Sequence, residues 1–134
     1  MRLFAPIDES SEGQGEVLAL PGYFLFPGDG EVFDIVGEWP EVQESGARVL
    51  TWRSSEGVLV LSCEAVTRSV RVRWSSVEGN LLLDIYREGA TRLAFTSTPA
   101  AVGARIDFSV GGCAGVMEID ISPRFSVQDR LLFQ

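Results

Sequence analysis

The chain has 134 residues, 19 acids against 11 bases and a formal net charge of −8, enough length for one domain with a real core. It contains no histidine, which removes Ser-His-Asp and Cys-His catalysis and imidazole metal sites. Its acidity argues against general nucleic-acid binding, and no apolar run reaches the length of a membrane span.

In chain order, Met1 to Glu9 turns acidic too early for a secretory signal, so a soluble, cytoplasmic protein is expected. Residues 8–15 are polar without periodicity and predict a loop. Glu16–Leu20 and Tyr23–Phe26 flank Pro21-Gly22, a turn signal for a hairpin or a sharp bend, and Pro27–Gly30 predicts another turn. Glu31–Glu38 is expected to be a strand with Phe33 and Ile35 inward and Val32, Asp34, Val36 and Glu38 outward. It should end before Pro40. Pro40–Gly46, with acids early and glycine last, predicts a short helix.

From Ala47 onward strand follows strand. Arg48–Arg53 is one, ending at Ser54–Gly57. Val58–Cys63 is apolar on both parities and is expected to be central and covered on both faces. The chain then either turns at Glu64-Ala65 or continues through a bulge.

Val66–Tyr86 predicts a hairpin about which the rest is organised. Val66, Val70, Val72 and Trp74 share one parity, and Arg71 and Arg73 the other. With the turn at Glu78-Gly79, Trp74 faces Leu83, Val72 faces Ile85, Arg73 faces Asp84 and Arg71 faces Tyr86. A turn at Gly79-Asn80 shifts each pair by two.

A three-residue loop through Gly89 would then set Leu93 against Ile85 and Phe95 against Leu83. Ala104–Val110 predicts a strand with Ile106, Phe108 and Val110 inward, followed by one with Met117, Ile119 and Ile121 inward. Pairing Val110 with Gly115 opposes Arg105 to Asp120, but also Asp107 to Glu118, an unfavourable like-charge pair. The tail from Phe125 fits either a terminal helix or a final strand.

Together these elements predict an all-β, antiparallel sandwich or barrel in one domain, residues 1–134, with at most one or two short helices. Cys63 is expected to be a buried small hydrophobe, and a reduced compartment suits both it and Cys113. Trp52 and Trp74 share parity with core positions. Trp39 belongs to no apolar period and either caps a barrel end or anchors a partner.

The charge is uneven. Residues 1–46 hold ten acids and one base, and residues 47–134 nine acids and ten arginines. Gly37-Glu38-Trp39-Pro40 is similar to a glycine-aromatic-proline stretch in some bacterial toxin-neutralising immunity proteins. Length and strand number resemble small ligand-binding barrels of the calycin type, without their helical lid or signature.

The leading expectation is a non-enzymatic module docking a basic protein partner, concretely an immunity protein neutralising a cationic toxin. Its partner-binding residues are Glu31, Asp34, Glu38, Trp39, Glu41 and Glu44. No catalytic residue, cofactor or metal ligand is assigned, and neither nucleic acid nor membrane is expected as partner. A small-molecule carrier lined by Phe24, Phe95 and Phe108 is one alternative. A hydrolase drawing a carboxylate pair from Glu31, Asp34, Glu38 and Asp84 is another. Asp107, Glu118 and Asp120 are read as surface acids, because a calcium site needs more oxygens and a loop that this chain lacks.

Overall fold

A computed structural model describes residues 23–133. They contain one helix, α1 (Asp29–Val36), and nine strands: β1 (Glu41–Val42), β2 (Arg48–Ser54), β3 (Gly57–Glu64), β4 (Ser69–Ser75), β5 (Leu81–Glu88), β6 (Ala90–Ser97), β7 (Val102–Val110), β8 (Cys113–Ser122) and β9 (Ser126–Phe133). Sequential neighbours pair antiparallel within two sheets, β1 to β5 and β6 to β9. The all-β expectation holds, and the tail is a strand. None of the described helices is long and apolar enough to cross a membrane.

Alternation along each strand builds the core. Leu59, Leu61, Cys63, Val70 and Val72 come from the first sheet, and Ile106, Phe108, Met117, Ile119 and Ile121 from the second, in one buried cluster. Trp52 meets Phe95 at 6.5 Å between ring centroids, and Trp74 meets Phe125 edge-on at 5.7 Å, so aromatic contacts join the sheets. Burial pushes the Cys63 thiol up to about 12. Neither cysteine is in a disulfide.

The central hairpin has the register expected for a turn at Glu78-Gly79. Trp74 pairs with Leu83, Val72 with Ile85, Arg73 with Asp84 and Arg71 with Tyr86. Burial on one face fixes such a register, because a one-residue slip would send the valines to solvent. Val66, however, is exposed in the turn before β4, so the chain turns after Glu64 instead of bulging through.

Several expectations are corrected. Glu31–Glu38 is not a strand: α1 takes Asp29–Val36, with Val32 buried and Ile35 and Val36 packed on the core. Those three stand at i, i+3 and i+4, the helical period, and Phe33 is turned outward. Pro40–Gly46 is not a helix. Glu41 and Val42 pair with Val49 and Arg48, and Gly46 closes the turn at φ +90°. On β3 only the Leu59–Leu61–Cys63 side is buried, while Val58, Val60 and Ser62 are half-buried. Its expected cover on both faces is therefore incomplete.

The β5–β6 connection is not a hairpin. At Gly89 the chain leaves the first sheet for the second, and Leu93 and Phe95 pair with Ile106 and Ala104 of β7. The Gly89 carbonyl accepts the Ser109 N–H at 2.9 Å, and the Arg68 carbonyl accepts the Ala90 N–H at 2.9 Å, so the crossing is stitched to both sheets. β7 and β8 pair two residues away from the expected register, Val110 with Cys113 around Gly111-Gly112. That shift sets Arg105 opposite Glu118 and Asp107 opposite Val116, which removes the like-charge pair. Val110, expected inward, is 58 % exposed at the tip. Residues 1–22, including the expected loop and the Glu16–Leu20 arm, lie outside the described residues. Leu25 bridges Arg92 in parallel, placing Tyr23–Phe26 along β6.

Candidate protein-docking surface

α1 lies where β2 and β6 approach each other. Its Val32, with Phe26, Leu50, Leu93 and Phe95, surrounds a pocket of about 10 Å³, room for roughly one water. The Arg48 guanidinium donates to both Asp29 carboxylate oxygens, at 3.0 and 3.5 Å, and lies 5.7 Å from the Phe26 ring centroid. This ion pair ties the start of α1 to β2.

The helix stops at Gly37, whose φ of +79° is left-handed and whose N–H donates to the Phe33 carbonyl at 2.8 Å. Glycine takes this conformation without the Cβ penalty. The reversal returns the chain over the outer face of α1. Trp39 stacks on Phe33 with ring centroids 4.8 Å apart and planes 17° from parallel. Trp39 is nevertheless 61 % exposed, and Phe33 40 %. Pro40 then leads into β1, and the β1–β2 turn carries Glu44.

All six expected site residues are exposed on this one continuous stretch. Glu31 and Asp34 are on α1, Glu38 and Trp39 follow its C-terminus, Glu41 is in β1 and Glu44 in the next turn. Sequence reading missed Phe33, which it had turned into the core. The available signal was Gly37, a helix stop after an apolar i, i+3, i+4 set.

Ion pairing varies along the chain. Later in the chain, Asp84 is held by Arg71 and Arg73, Asp107 by Arg105, Glu118 by Arg105 and Arg130, Asp129 by Arg87, and Glu56 by Arg124. Among the described residues, Glu31, Asp34, Glu38, Glu41 and Glu44 have no such cationic partner and follow one another along a single stretch, whereas the other unpaired acids, Glu64, Glu78, Glu88 and Asp120, are dispersed. The last turn of α1 also lacks a basic residue, so its carbonyl end adds uncompensated partial negative charge.

The other sets of residues are organised differently. Glu31 and Asp34 are on α1, which packs on β6, and Glu38 directly follows it, whereas Asp84 is on β5 at the edge of the first sheet away from β1. Asp84 accepts from Arg71 at 2.9 and 2.7 Å. That hydrogen bonding holds its carboxyl below the ordinary carboxylate range, against a smaller opposing effect of desolvation. Phe24, Phe95 and Phe108 are core side chains. Among the described residues, no group of three or more acids or cysteines is placed to hold a metal ion.

The fold is similar to that of a chain in the contact-dependent growth inhibition toxin–immunity protein complex from Klebsiella pneumoniae 342. The TM-score is 0.70 over 81 % of this chain and 97 % of that one, at 13 % identity. The likeness is one of fold. No protein-family model matches the sequence, and no curated protein does.

Proposed function

We propose that this protein is a non-enzymatic binding module that docks a basic protein, and concretely a bacterial immunity protein that neutralises a cationic toxin. The exposed Phe33–Trp39 stack carries this reading, set as it is beside five carboxylates with no cationic partner among the described residues. An aromatic anchor inside a field of one sign is what a tight, electrostatically steered complex needs. The fold likeness to a chain of a toxin–immunity protein complex supports it. A cytoplasmic setting suits the two free thiols.

The test is capture followed by neutralisation. Tagged protein is used to isolate partners from the host at low salt, and the captured protein is expressed in a sensitive strain with and without this chain. The reading predicts a partner of net positive charge whose toxicity is lifted by co-expression. Capture of acidic partners alone, or toxicity unaffected by co-expression, would contradict it.

A further inference from the structure

The Phe33–Trp39 stack is an unusual use of two aromatic rings. Phe33 supports one face of the indole, yet Trp39 remains 61 % exposed, so its other face and its edges meet solvent. Three features close to Trp39 share one sign. Glu38 and Glu41 lie one and two residues from Trp39 and have no cationic partner among the described residues. The carbonyl end of α1 is two residues before Glu38 and has no basic residue in its last turn. The indole face is itself the negative lobe of the ring quadrupole.

Resting on the docking reading above, we infer that the free face of Trp39 is a subsite for an arginine side chain of the protein partner. The guanidinium lies on the indole, and Glu38 and Glu41 supply its carboxylate contacts. Charge complementarity selects a cation, because an apolar group laid on Trp39 would desolvate neighbouring carboxylates without pairing them. The flat indole selects arginine over lysine. Guanidinium is planar and weakly hydrated and stacks on aromatic faces, while ammonium is a compact, strongly hydrated charge. Phosphate-bearing partners are repelled by the same field.

Octa-arginine and octa-lysine, equal in charge, serve as probes in amide and indole NMR titrations of the intact protein. Octa-arginine is expected to bind tighter, by up to about two- to fivefold, the whole worth of a cation over an exposed ring. It should shift the Trp39 indole N–H while those of Trp52 and Trp74 stay in place. Trp39→Leu should erase the preference for arginine and leave both peptides bound through the carboxylates. Glu38→Gln with Glu41→Gln should weaken both. Equal affinities with an unmoved Trp39 resonance would overturn the arginine subsite and leave acidic-face docking standing. Failure of both peptides to bind would overturn the subsite and the docking reading together.

Discussion

Val72 and Arg73 are neighbours in sequence with opposite fates. Val72 is fully buried between Leu61 and Ile85, while Arg73 is half-exposed and 3.8 Å from Asp84. Val72→Asp puts a charge into the core, and burying an unpaired carboxylate costs several kcal/mol. Loss of cooperative thermal unfolding is expected. Arg73→Ser removes one exposed partner and should leave the melting temperature nearly unchanged. Equal effects would mean that the sheet faces the other way.

Asp84 gives a second test at this scale. Its pKa is depressed, so its contribution to stability is present above the ordinary carboxylate value and is lost as pH falls through the lower, folded value. Arg71→Ser should move the Asp84 titration upward in a carbon-13 NMR experiment and shrink the acid limb of the stability curve. An unmoved titration would show that the Arg71 bond is not its cause.

At the scale of elements, two glycines separate conformation from crowding. Gly37 has φ +79°, and a Cβ added there would meet only open space, so Gly37→Ala should cost only the left-handed penalty, about 1–2 kcal/mol. Gly89 has φ +85°, and an added Cβ would press on the Val110 side chain and sit 3.1 Å from the Ser109 carbonyl oxygen. Gly89→Ala should therefore be clearly the more destabilising in urea unfolding. Comparable losses would indicate that the sheet crossing is looser than these contacts imply.

These two positions also explain what the sequence hid. Strands with strict alternation were legible, because Val70, Val72 and Trp74, or Ile106 and Phe108, fit only one period. Val32, Phe33, Ile35 and Val36 fit both a strand and a helix in so short a run, and Gly37 decided for the helix. The crossing at Gly89 was invisible because a three-residue loop suits a hairpin equally well. What forbids the hairpin is tertiary: the Gly89 carbonyl and the Ala90 N–H are bonded to β7 and to the turn before β4.

For the whole molecule, the acids expected to act together were legible as composition, since residues 1–46 carry ten acids and one base. Their arrangement was not. It depends on α1 turning Glu31 and Asp34 outward and on Gly37 folding Trp39 over Phe33. Of the nine later acids, five (Glu56, Asp84, Asp107, Glu118 and Asp129) are matched to arginines. Among the described residues, five of the acids without an ion-pair partner therefore fall on the one stretch from Glu31 to Glu44, and four others, Glu64, Glu78, Glu88 and Asp120, are scattered over the later turns and strands.

Long-range attraction and a local anchor should separate kinetically. Trp39→Ala should speed dissociation from the partner, by roughly tenfold or more if it is a buried anchor, with little change in association. An unchanged dissociation rate would remove Trp39 from the interface.

The central claim is tested most directly by surface plasmon resonance at two salt concentrations, with the host partner immobilised. The parent is compared with the Glu38→Gln, Glu41→Gln, Glu44→Gln triple variant. These exposed substitutions should leave the fold intact. The account predicts slower association for the variant at low salt and a flatter dependence of that rate on salt. A variant that associates like the parent at low salt would contradict it.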